Sequence, residues 1–261
     1  MHTKNFLAAG FFVLPLFAVL GNGCTVHETA FNFGDGGLFG DYDGSTSSDG
    51  GKKSDGSTSK DAQATTDSPA TGVCAPGDVS GLTATFHPPT AFHQGACTPT
   101  QVSAFIDCLS GLPDANTCKT FVSNAANKTC IACAATPSTA ASYGPLVEGT
   151  VTINVNVAGC IARTTNDLTA TGCGAKIEAN TECQQLACET NCPVSATDTG
   201  AEFNALLKCQ DDSETSVCAS YATAAGCADG LIEAGTAAQC ANGGSTFSDN
   251  ANAMVTLFCG N

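Results

Sequence analysis

Tryptophan is absent from the 261-residue chain, tyrosine occurs three times and methionine twice, so the large side chains that usually fill a core are scarce. The formal hydrophobic share is 43%, but much of it is alanine and cysteine. At roughly 25 cal/mol per Å² of buried apolar surface, a core of Ala, Val and a few Phe gives little against chain entropy. Basic residues are also few. Nine Lys plus Arg stand against 24 Asp plus Glu, for a formal net charge of −15, and Arg163 is the sole arginine. Nucleic acid and anionic headgroups are therefore poor partners, because phosphate recognition relies on clustered Lys and Arg. With only four histidines, and neither a Gly-x-Ser-x-Gly elbow nor a His-Glu-x-x-His motif, the common hydrolase and zinc-protease signatures are missing as well.

Cysteine is the residue in excess. Seventeen of them suit a compartment in which disulfides form and persist, and would be a hazard in a reducing cytosol. The N-terminus points to the same place. His2 and Lys4 precede an apolar run from Phe6 to Leu20, which Gly10 and Pro15 interrupt and which is short of the ~20 residues of a membrane span. Residues 1–23 thus read as a signal peptide, ending in Leu20-Gly21-Asn22-Gly23-Cys24. That stretch resembles the processing site of bacterial lipoproteins, in which the cysteine is acylated and becomes the mature N-terminus. Here Leu20 stands four residues before Cys24 and Gly21 takes the place that a lipobox leucine occupies. Lipidation at Cys24 would leave sixteen cysteines, an even set.

Residues 24–72 are rich in Gly, Ser, Thr and Asp and show no apolar periodicity, which predicts a disordered tether. Its root-mean-square reach is roughly 35–40 Å, enough to lift a domain off a membrane. Phe31, Phe33, Leu38 and Phe39 form a small apolar patch within it. Asp41-Tyr42-Asp43-Gly44 begins like a calcium loop but lacks the position-six glycine and a closing glutamate. Gly51-Lys52-Lys53-Ser54 is no phosphate loop, since Thr46 stands where the first glycine belongs.

Residues 73–261 carry the folded part, expected to be mainly α, with small disulfide-rich helical hairpins and one short β element. Val102, Phe105, Ile106 and Cys108 share a face of a helix begun after Thr98-Pro99. Ala179, Cys183 and Leu186 suggest a second helix, Phe203, Leu206 and Leu207 a third, Val217 and Tyr221 a fourth, and Met254, Leu257 and Phe258 a last one capped near Ser248. Val151, Ile153, Val155 and Val157 alternate with polar residues as in a half-buried strand, with Leu82, Ala84 and Phe86 as the expected partner. Aligning Cys108 with Cys209 gives an internal echo, with apolar residues before each and an aromatic, Phe121 or Tyr221, three beyond Cys118 or Cys218. A duplicated helical hairpin at about 98–133 and 197–240 is one explanation and chance is another.

The acidic tether behind an early cysteine, and the run from Gly159-Cys160 through Cys173-Gly174, Cys183, Ala187-Cys188 and Asn191-Cys192-Pro193, resemble cysteine-rich surface lipoproteins of the myxobacterial type. The resemblance implies compartment and a cross-linked fold, and no particular activity.

As chemistry, Cys130-Ile131-Ala132-Cys133 has the spacing of thiol oxidoreductases, in which a low-pKa thiolate at a helix N-terminus attacks a disulfide. No βαβ pattern surrounds it. The other cysteines, Cys74, Cys97, Cys108, Cys118, Cys160, Cys173, Cys183, Cys188, Cys192, Cys209, Cys218, Cys227, Cys240 and Cys259, favour structural pairing. No metal site or cofactor is expected: a second zinc-ligand pair is lacking, and His87 and His93 flank Pro88-Pro89 in what reads as a surface loop. Glu148, Glu178, Glu182 and Asp229 are candidate carboxylates for glycoside cleavage, but their spacing selects no pair.

The preferred functional expectation is an exported binding or structural module, anchored through lipid at Cys24 at the outer membrane or cell surface, with an unidentified surface or extracellular ligand. Simple secretion is the other destination. The alternative function is an extracytoplasmic thiol-disulfide oxidoreductase using Cys130 and Cys133, and a carboxylate hydrolase comes third.

Overall fold

The computed structural model describes residues 74–261 apart from 112, 150, 151, 196–199, 242 and 245. The expected signal peptide, Cys24, the tether and its apolar patch lie outside the described residues. The described part is mainly helical with one small sheet. No helix among the described residues is long and apolar enough to cross a membrane.

Helix α1, Pro99–Leu109, begins where the sequence places it. Thr98 accepts from the Gln101 N–H while the Gln101 side chain receives the Thr98 N–H, a reciprocal cap, and Pro99 sits at the first position, where no N–H is needed. Helices α2 (Ala115–Ser123) and α3 (Lys128–Ala134) fold back on it. Asp114 caps α2 through the N–H groups of Asn116 and Thr117.

The sheet differs from its expected form. Strand β2 (Leu146–Glu148) pairs in parallel with β1 (Ala135–Pro137) and antiparallel with β3 (Ile153–Val155). Leu82, Ala84 and Phe86 lie in no strand, and Val157 already belongs to α4, Val157–Thr164. Thr152 and Asn154 are buried beside Ile153 and Val155, so the polar positions of the alternating pattern do not face solvent. Short strands enclosed on both faces cannot express the in-and-out rule of a half-exposed sheet.

Helix α5, Cys173–Cys188, packs against α4, α6 (Ala201–Glu214) and α7 (Ala219–Ala225). Because neighbours surround it, burial extends beyond the predicted apolar face, of which Cys183 is buried and Ala179 half-buried. Leu186 is 43% exposed, whereas Glu178, Asn180 and Gln184 are buried. Val217 also departs from expectation, exposed in the turn before α7. Helix α8, Cys227–Glu233, follows, and α9, Phe247–Cys259, is capped by Thr246 and buries Met254 and Phe258.

Every cysteine among the described residues is bridged: Cys74–Cys192, Cys97–Cys130, Cys108–Cys118, Cys133–Cys259, Cys160–Cys240, Cys173–Cys227, Cys183–Cys218 and Cys188–Cys209. Two sets are nested. Cys97–Cys130 encloses Cys108–Cys118 across α1 to α3, and Cys173–Cys227 encloses Cys183–Cys218 across α5, α7 and α8. The second set holds a further bridge, Cys188–Cys209, inside Cys183–Cys218, so it offers no one-to-one counterpart for Cys108. Cys209, its partner in the sequence alignment, lies in the intervening α6 and joins Cys188. The stretch 197–240 is not closed on itself, because Cys209, Cys218 and Cys227 all reach back to α5.

Two cores result. The larger joins Phe105, Ile106, Leu146, Ile153, Ile161, Val255 and Phe258. The smaller is made of Cys183, Cys188, Cys192, Cys209 and Cys218 with Ala187 and Leu206. Cystine sulfur fills the second core, where large apolar side chains are lacking.

Candidate functional site

The titratable groups that the fold draws together lie where the extended segment 85–90 crosses α5. Residues 178 and 182 are one turn apart on that helix, so both carboxylates project from one side. Glu178 receives the His87 backbone N–H at 3.1 Å to each oxygen and contacts the His87 ring, Nδ1 to Oε1, at 2.7 Å. Glu182 receives the Thr85 N–H at 3.1 Å. A ring nitrogen of His87 and one oxygen from each glutamate all lie within 4.8 Å of one another.

Neighbouring elements fix the segment. The Tyr143 ring stacks on His87 with centroids 4.2 Å apart and planes 16° from parallel. Its main chain pairs with the segment through Thr90 N–H to Tyr143 C=O, 2.9 Å, and Tyr143 N–H to Pro88 C=O, 3.1 Å. Its hydroxyl donates to the Ser138 carbonyl at 2.8 Å. From α4, Arg163 donates to the carbonyls of Pro89 at 2.7 Å and Thr90 at 3.2 Å. The single arginine of the chain thus acts as a clamp on backbone.

Burial dominates the electrostatics. It pushes the Glu178 carboxyl up to about 7, against the opposing hydrogen bonds from His87, and it also raises Glu182, against the Thr85 N–H. Tyr143 is pushed up to about 12 by burial and by the two glutamates. On the other side of α5, Asn180 and Gln184 both donate to Glu214, whose carboxyl burial likewise raises.

Among the candidates named from sequence, Glu178 and Glu182 come together, while Glu148 at the end of β2 and Asp229 on α8 stand outside the cluster. His87 is not a free loop residue as expected. It is half-buried and bound to Glu178, whereas His93 is exposed. Glu178 and Glu182 carried a local signal, their four-residue spacing on a helix. His87 carried none, being 91 positions from Glu178. Cys130 and Cys133 do not pair with each other; they bridge to Cys97 and Cys259. Cys74, Cys192 and Cys209 also lie close together, but their sulfurs are all held in bridges.

No protein-family model matches the chain, and no curated protein or solved structure shows significant similarity to it.

Proposed function

We propose that this chain is an exported module, anchored by lipid at Cys24 to the outer membrane or cell surface, whose bridged helical domain binds an extracellular partner or serves a structural role. The observation that carries this reading is the complete engagement of the described cysteines in eight bridges, a state suited to an oxidising compartment. The leader, the acidic tether and the resemblance to myxobacterial surface lipoproteins support the same placement. Oxidoreductase chemistry is disfavoured, because Cys130 and Cys133 sit in separate long-range bridges, Cys130 is fully buried, and no free dithiol is present among the described residues.

Intact mass of the protein from its native host tests the proposal. The expected result is a chain beginning at Cys24 with acyl groups attached and no alkylation before reduction, followed by alkylation of sixteen thiols once reduced. An unmodified Cys24 sinks the anchor, and free thiols in the native protein sink the bridged module. Steady reduction of a disulfide substrate by the purified chain would restore the oxidoreductase alternative.

A further inference from the structure

We propose that His87, Glu178 and Glu182 form a binding site for one divalent cation of the Zn²⁺ class. The donor set decides the kind of ion. One imidazole and two carboxylates suit borderline Zn²⁺, whereas Ca²⁺ favours all-oxygen shells and soft Cu(I) favours thiolate or thioether. Zinc bonds of about 2.0–2.2 Å place tetrahedral ligands about 3.3 Å apart. His87 Nδ1 and Glu178 Oε1 stand at 2.7 Å, and a ring nitrogen of His87 with one oxygen of each glutamate lies within 4.8 Å, so rotamer adjustments of up to about 1.5 Å would close the shell. Three protein ligands leave a fourth position to water.

Charge and support favour the same assignment. The three donors come from two glutamates and one histidine, a ring nitrogen and one oxygen of each carboxylate gathered within 4.8 Å of one another. Two carboxylates thus face a single imidazole where the Glu178 side chain is only 8% exposed, a donor-rich and partly enclosed setting in which a cation would take the place of protons and solvent. The donors are also held in place by their surroundings. Tyr143 fixes the plane of the imidazole, the His87 and Thr85 N–H groups hold the carboxylates, and Arg163 holds the segment. At 19% side-chain exposure, His87 leaves the site open to ions from solvent.

The test uses the tag-free, oxidised mature chain, stripped with chelator and titrated with Zn²⁺ by calorimetry. One saturable equivalent is expected, with Ca²⁺ failing to compete at equal concentration. His87→Gln and Glu182→Gln should each weaken binding at least about tenfold, in variants whose mass confirms all eight bridges. Co²⁺ provides a readout on the unaltered chain. It should broaden the ring resonances of His87 and leave those of exposed His93 sharp, which distinguishes this site even if a variant fails to fold. Absence of saturable Zn²⁺ binding, undiminished binding in the bridged variants, or a His87 ring untouched by Co²⁺ overturns the proposal and leaves the cluster as a hydrogen-bonded latch.

Discussion

At the scale of single residues, Arg163 shows how one side chain can replace several missing contacts. Its guanidinium meets two carbonyls of the segment that delivers His87, and hydrogen bonds from a charged donor contribute about 1.5–3 kcal/mol each in favourable cases. Arg163→Ala should lower stability by about 1–3 kcal/mol in urea unfolding with bridges intact, and should weaken the stacking of His87 on Tyr143. Arg163→Lys should recover only part of the loss, because an ammonium cannot present two planar donors to adjacent carbonyls. Stability unchanged by Arg163→Ala would show that Tyr143, Glu178 and Glu182 suffice to hold the segment. The rarity of arginine was legible in the sequence, but its job was not. Residues 163 and 89 are 74 positions apart, and a backbone carbonyl leaves no mark in a side-chain pattern.

At the scale of elements, α5 sets the geometry of the candidate site through its distance from α4. A Cβ added at Gly174 would lie 2.5 Å from the Ala158 carbonyl oxygen and 2.6 Å from the Ala162 Cβ, so glycine is needed for the two helices to touch. Gly174→Ala should therefore destabilise the fold by about 1–3 kcal/mol despite alanine's better helix propensity, with the cost read from a urea midpoint. A stabilised variant would mean that the helices separate freely. Elements were legible where burial is apolar and one-sided. In α1, Val102, Phe105 and Ile106 recur at helical spacing after Thr98-Pro99, and the structure follows both. Helix α5 hides the extent of its burial because Glu178, Asn180 and Gln184 are buried along with Ile177 and Cys183 while Leu186 is exposed; a hydrophobicity pattern reads only part of such a buried surface. The sheet was half legible. The β-branched run marked β3, but its partner Leu146–Glu148 is three residues long and leaves too short a pattern to read. Bridge topology was beyond reach, since cysteine spacing repeats between α1–α2 and α6–α7 while pairing does not.

At the scale of the whole molecule, acidity and burial together set the pH at which the domain is most stable. Burial raises Glu148, Glu178, Glu182, Glu189, Asp211 and Glu214, with Glu178 reaching about 7. A carboxyl raised on folding binds its proton more tightly in the native state. Its contribution is therefore fully present below the unfolded value, 4.5 for glutamate, and is lost as pH rises through the folded value. Hydrogen bonds from Ser80, Thr117 and Thr169 act oppositely on Asp78, Asp114 and Asp167, lowering them so that their contribution is lost as pH falls below 3.8. Self-repulsion of a chain with net charge −15 also relaxes as pH approaches its isoelectric point near 4.3. All three effects place the optimum near pH 4–5 in the metal-free chain, with stability lower at pH 7.5. Urea midpoints of the oxidised protein in chelator at the two pH values measure this directly. A higher midpoint at pH 7.5 would mean that the buried carboxylates are compensated in the folded state. Added Zn²⁺ should narrow the difference, because a cation at His87, Glu178 and Glu182 stabilises the charged carboxylates that neutral pH otherwise leaves opposed.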